Sequence, residues 1–144
     1  MDRAALDFAI RNGFDHGGWC PRGRKAEDGP IPLRYALRET RSADYDERTE
    51  RNVLDSDATL IFVRDPKLAG GTATTHELAL HHERPVLVLC DVDGANACVE
   101  RLNRFLNAVR VKTLNIAGPR ESEAAGLGKF VEAVLGSALL KSKA

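Results

Sequence analysis

Apolar positions along the chain fall into two patterns, and their alternation predicts the architecture. Ala58-Thr-Leu-Ile-Phe-Val-Arg64 and Pro85-Val-Leu-Val-Leu-Cys-Asp91 are continuous apolar runs rich in β-branched residues and bounded by turn formers, the mark of strands buried on both faces. Pro85 is allowed at a first strand position. Thr113-Leu-Asn-Ile-Ala117 predicts a shorter strand. Elsewhere the apolar residues recur at helical spacing: Ala5, Leu6, Ala9 and Ile10; Tyr45, Thr49 and Val53; Cys98, Leu102, Phe105, Leu106 and Val109; Leu127, Phe130, Val131, Val134 and Leu135. Asn12-Gly13 stops the first helix, Ser42 or Asp44 caps the second, and Asp93-Gly94 opens the helix over 95–109. A further helix follows Gly70-Gly71-Thr72 and ends near Glu83. Phe14 to Pro32 reads as a long loop rich in glycine and proline, with a short strand at its start, and Leu33 to Thr40 is ambiguous. Trp19, Cys20 and Ile31 anchor that loop against disorder. Strand, helix, strand, helix, strand, helix predicts an α/β fold with a mainly parallel sheet and right-handed crossovers, in one domain over 1–144. In such sheets ligands sit at the carboxyl ends of the strands, so Gly70-Gly71-Thr72 and Gly118-Pro119-Arg120 are expected to face one crevice.

Charge narrows the partners. Twenty-one basic residues balance 21 acidic ones, so no global field draws in nucleic acid or an anionic membrane, and any anion site must be local. Cys20 to Arg41 is the basic stretch. The three cysteines form no Cys-x-x-Cys, and no signal peptide or membrane-length apolar run is read, so a cytoplasmic protein is expected. His76, His81 and His82 lack the i, i+4 spacing of a helical zinc site, so no metal ligand is expected among them.

Gly70-Gly71-Thr72-Ala73-Thr74-Thr75-His76-Glu77 is the candidate phosphate cradle. Two glycines let backbone approach an anion, a helix start offers unpaired N–H groups, and threonines add hydroxyl donors. The plainer reading is a tight strand-to-helix connection capped by Thr74 or Thr75. Glu77 is expected about one turn into the helix, within reach of whatever the loop holds. Trp19 is a candidate to stack on a flat ligand, or is a loop anchor. Arg22, Arg24 and Lys25 clamp an oxyanion or stay solvated. Cys20 is a soft-metal ligand or part of a rigid turn with Pro21, and Arg120 acts with the last helix start on an anion. Asp57 and Ser56 read as turn and cap residues.

His16-Gly-Gly-Trp-Cys-Pro-Arg-Gly-Arg-Lys-Ala-Glu-Asp-Gly-Pro-Ile-Pro32, Tyr45-Asp-Glu-Arg-Thr-Glu-Arg-Asn-Val-Leu-Asp-Ser-Asp57, Gly70-Gly71-Thr72 and Asn115-Ile-Ala-Gly-Pro-Arg-Glu-Ser122 resemble the putative molybdenum carrier family across essentially the whole chain. The resemblance implies a Rossmann-like three-layer fold, related to lysine-decarboxylase-like proteins and cytokinin-activating phosphoribohydrolases. It implies a carrier for the molybdenum cofactor (molybdopterin), or for a similar phosphorylated planar small molecule; a homo-oligomer is also expected. In the related hydrolases a Glu-Arg-Lys stretch and a Gly-Gly-x-Gly-Thr-x-x-Glu loop carry the chemistry. Glu47-Arg48-Thr49 and Gly70 to Glu77 stand in those places, with Thr49 for the Lys and Ala73 for the second-motif Gly. Retention of Arg48 and Glu77 keeps a second reading open, an enzyme that cleaves the N-glycosidic bond of a nucleoside monophosphate. There Glu77 steadies the ribosyl centre or activates water and Arg48 orients the base or phosphate. The resemblance also implies a strand and glycine-rich turn ahead of the first helix, where this chain begins at Met1-Asp2-Arg3. A missing N-terminal strand is therefore expected, either encoded upstream of a start assigned too late or lost in a degenerate copy.

Overall fold

A computed structural model describes residues 2–26, 29–120 and 122–140. Among these residues five α-helices and five strands follow one another as α1 (Asp2–Arg11), β1 (Trp19–Cys20), β2 (Arg38–Glu39), α2 (Tyr45–Leu54), β3 (Ala58–Val63), α3 (Gly70–His81), β4 (Val86–Cys90), α4 (Ala95–Ala108), β5 (Leu114–Ala117) and α5 (Leu127–Leu135). The main sheet has the order β4-β3-β5, all parallel, with Leu60 opposite Leu87 on one side and Ile116 on the other. Among the described residues no strand precedes α1.

Every residue of β3 is buried, as a continuous apolar run requires of a central strand. Alternate side chains serve opposite faces. Leu60 and Phe62 join Phe8, Leu89, Leu102, Leu127, Val131 and Val134, so α1, α4 and α5 cover one face. Ile61 and Val63 pack with Cys90, Val88, Leu68 and Ala117 toward the other face, where α2 and α3 lie side by side. The result is helix, sheet, helix in three layers.

Polar groups fix the strand starts. The Asp57 carboxylate accepts from the backbone N–H of Lys112 (2.8 Å) and Thr113 (2.9 Å), which joins the entry of β3 to that of β5. Those two bonds hold its carboxyl below the usual range. Of the two capping readings of α2, Asp44 is the cap and accepts from the Asp46 N–H, while Ser42 accepts from the Asp44 N–H just ahead of the helix.

Between α1 and α2 the long loop is ordered by pairings that a periodicity reading misses. β1 and β2 are two residues each and pair in parallel, Trp19 with Arg38 and Cys20 with Glu39, so the ambiguous stretch supplies a strand too short to show an alternation. Arg24, in a left-handed conformation (φ 54°), sends its guanidinium to four carbonyls: Ile31 (2.9 Å), Pro32 (2.9 Å), Tyr35 (2.8 Å) and Leu37 (3.3 Å). The buried Tyr35 donates its hydroxyl to Asp7 (2.7 Å) and accepts from Arg34 (2.8 Å), tying the loop to α1.

Candidate functional site

The strand order creates a switch point. From β3 the chain crosses through α3 to β4 on one side, and α4 then carries it back over β3 to β5 on the other. The connections leaving β3 and β5 therefore diverge to opposite faces, opening a crevice outside the carboxyl ends of these neighbouring strands. Gly70-Gly71-Thr72 follows β3 at the start of α3, and Gly118-Pro119-Arg120 follows β5.

On the β3 side, α3 begins at Gly70, with Ala69 at the cap position and no side-chain cap. Gly70 has φ 55°, which glycine adopts without cost. A Cβ built at Gly70 or Gly71 meets no atom within 4 Å, so the first turn is open. Three expectations shift here. Thr74 and Thr75 are not caps, because four and five residues of helix precede them; their hydroxyls donate back to the carbonyls of Gly70 (3.3 Å) and Gly71 (2.9 Å). Thr72 is buried. Glu77 lies two turns inside α3, about 10 Å along the axis from Gly70, rather than one turn from the open N–H groups.

Across the crevice, Tyr45 opens α2 and gathers three cations. The Lys25 ammonium lies 4.9 Å from its ring centroid, the Arg120 guanidinium 5.0 Å and the Arg48 guanidinium 5.4 Å. They come from the long loop, the β5–α5 connection and the helix itself. Arg120 thus reaches across the switch point from the β5 side to α2. Tyr45 was legible only as one position of an apolar stripe, and nothing in the sequence pairs it with Lys25 or Arg120.

Trp19 belongs to a different place. Its indole N–H donates to Asp55 (2.6 Å), its backbone N–H donates to the Asn52 side chain (2.8 Å), and the guanidiniums of Arg38 and Arg51 lie 4.1 and 5.1 Å from its ring. Asn52 lies in the last turn of α2 and Asp55 caps its end, about 10 and 15 Å along the axis from Tyr45 at 1.5 Å per residue. Arg22 borders an open hollow of about 490 Å³ with Glu39, Thr40 and Arg41, and Arg24 is engaged by the four loop carbonyls. Thr49, where the related hydrolases carry lysine, donates to the Tyr45 carbonyl (2.9 Å). Cys20 is 1% exposed; burial pushes its thiol up, Arg24 draws it back, Glu39 raises it and Arg48 lowers it. A buried thiol held protonated is a poor soft-metal ligand. Among the described residues no three His, Cys, Asp or Glu side chains gather as a metal-binding group, and no helix is long and apolar enough to cross a membrane.

Residues 1–139 match the family described as "Circularly permutated YpsA SLOG family". The chain belongs to that family. Its fold is also that of a crystal structure described as a "Putative molybdenum carrier protein" from Syntrophus aciditrophicus SB, at TM-score 0.93 and 39% identity, covering 96% of this chain and 87% of that one. This SLOG-family chain is thus of the molybdenum carrier type, as the long glycine-rich block suggested. No curated protein matches it.

Proposed function

We propose that this SLOG-family protein binds a phosphorylated planar ligand of the molybdenum cofactor type at the carboxyl ends of β3 and β5, and carries it without altering it. The observation that carries the reading is the switch-point crevice, with the open first turn of α3 on one side and Arg120 reaching Tyr45 on the other. A helix start and guanidinium groups suit an anion. They fit the phosphate of a pterin cofactor; the described residues offer no gathered ligands for its metal. When bound, that cofactor supplies the metal–dithiolene chemistry, and this chain's residues hold its anionic end. The neighbour's printed description supports the same reading. Mass spectrometry of ligand released from the purified protein tests it. A pterin phosphate is expected; a protein that takes up no pterin or nucleotide on incubation refutes it.

The enzyme reading keeps one specific support: α2 and α3, which carry Arg48 and Glu77, pack side by side. Under that reading Glu77→Gln retains ligand binding and stops release of free base from nucleoside monophosphates. Under the carrier reading no base appears with either protein.

A further inference from the structure

We propose that the hollow of about 490 Å³ bordered by Arg22, Glu39, Thr40 and Arg41 reads a 2-amino-4-oxopyrimidine edge, which pterins and guanine share. Glu39 accepts from the amino group and ring N–H, and an arginine donates to the carbonyl. The proposal rests on the carrier reading above and adds to it a residue that selects the ring rather than the phosphate.

Three observations converge. First, the hollow mixes charges: Glu39 shares it with Arg22 and Arg41, and a carboxylate there repels the plain oxyanion that the arginines attract. A carboxylate only accepts and a guanidinium only donates, so the set matches a flat edge that presents N–H donors beside a carbonyl acceptor. Second, Glu39 is held and still has capacity. Its Oε1 accepts from the Gly23 N–H (2.7 Å), while among the described residues its other oxygen and the guanidiniums of Arg22 and Arg41 have no partner. Third, the walls are brought together by the fold. The Thr40 N–H donates to the Cys20 carbonyl (2.8 Å) and the Arg22 N–H to the Ser42 carbonyl (3.0 Å), which extends the pairing of β1 with β2. Thr40 itself is buried and its hydroxyl donates to the Ser42 carbonyl (2.9 Å), so recognition falls to the charged side chains. The volume lies within the roughly 300–1,000 Å³ of small-molecule pockets. The hollow also adjoins α2: the Arg41 N–H donates to Glu47 (3.2 Å) in the first turn of that helix. Tyr45 follows Arg41 by four positions, a span of no more than about 14 Å, so the ring site and the Tyr45 side of the crevice are neighbours.

Calorimetric titration of the full chain provides the test, with two pairs of probes that differ at the 2-amino group: pterin against lumazine (2,4-dioxopteridine), and GMP against IMP. The variants are Glu39→Gln, whose amide oxygen still accepts from the Gly23 N–H, Arg41→Gln and, as a distant control, Arg104→Gln on α4; near-UV circular dichroism and melting are compared first. Wild-type protein and R104Q are expected to prefer the amino partner of each pair by at least about tenfold, the scale set by leaving one charged acceptor unpaired. E39Q is expected to lose that preference, whereas R41Q weakens pterin and lumazine alike, because both carry the carbonyl. Tighter binding of pterin than of GMP assigns the hollow to a pterin, and the reverse assigns it to a guanine nucleotide. A wild-type preference under threefold, or one that survives in E39Q, overturns the proposal and leaves the carrier reading standing wherever pterin still binds. If wild-type protein binds neither pterin nor GMP the proposal falls, and the carrier reading then stands or falls separately, on recovery of a pterin phosphate by mass spectrometry.

Discussion

Replacing Arg24 with methionine keeps much of the side chain's bulk and removes every donor. Two of its four carbonyl bonds are short and part-buried, to Ile31 (2.9 Å) and Tyr35 (2.8 Å); that to Pro32 is exposed and that to Leu37 is long (3.3 Å). Hydrogen bonds from a charged donor contribute about 1.5–3 kcal/mol each. The low end for the two short bonds gives about 3 kcal/mol, with the exposed and long ones adding little because water replaces them. The backbone at Arg24 stays in the left-handed region, so no strain is relieved to offset the loss. The core of β3 with α1, α4 and α5 includes no residue of the stapled stretch 24–40, so the loss falls on local opening more than on global unfolding. Hydrogen exchange is the assay. At about 1.4 kcal/mol per tenfold, amides whose bonds close the loop, such as Ile31 to Arg24 (2.7 Å) and Thr40 to Cys20 (2.8 Å), lose about a hundredfold protection. Amides of β3 change little. Protection in residues 29–40 within threefold of wild type refutes the staple; an equal loss across β3 refutes its being local.

Asp57 predicts an acid-limb effect. Its folded pKa is depressed by the Thr113 and Lys112 N–H groups, so its stabilising contribution is present above the unfolded value and is lost as pH falls through the folded one. Urea midpoints of Asp57→Asn are expected to lie below wild type near neutrality and to converge with it in acid; a constant offset across that range defeats the argument. Gly71→Val is expected to melt within a few degrees of wild type, since a Cβ there meets no protein atom, while blocking approach of an anion to the first turn of α3; binding by the variant equal to wild type removes that turn from the site. Cys20, Cys90 and Cys98 are all buried, so a thiol reagent is expected to label them only at the rate of opening. Rapid labelling of Cys20 in native protein contradicts its placement.

The main sheet was legible because its signals are long and local. Ala58–Val63 and Val86–Cys90 are uninterrupted apolar runs, and each is followed by a helix with a readable start or stripe. Parallel pairing and right-handed crossovers were legible from the alternation of strands and helices, but the order β4-β3-β5 was not. What escaped is short or made by distant partners. β1 and β2 have two residues each, too few for an alternation. The α3 start moved to Gly70 because threonine is a good cap in general, whereas here a positive φ at glycine begins the helix and the threonine hydroxyls turn inward.

The site divides along the same line. A glycine pair after a strand announces an open helix start, and the structure keeps it open. A charged side chain announces only a charge. Arg24 and Arg120 look alike in sequence, each an arginine in a turn with glycine or proline nearby, yet Arg24 is spent on four carbonyls of its own loop and Arg120 reaches an aromatic ring on another layer. What fixes Arg24 is the local supply of acceptors. The segment after Arg24 curls so that its carbonyls point inward, and a guanidinium with five fixed donors satisfies them best. Gly118-Pro119 instead directs Arg120 out of the end of β5 at the switch point. The same logic separates Trp19 from the crevice: the far end of α2 offers Asn52 and Asp55 as acceptors, and the indole follows them. Polar side chains in this fold are therefore assigned by which carbonyls and carboxylates the folded loops place within reach, as the guanidinium of Arg24 and the indole of Trp19 show.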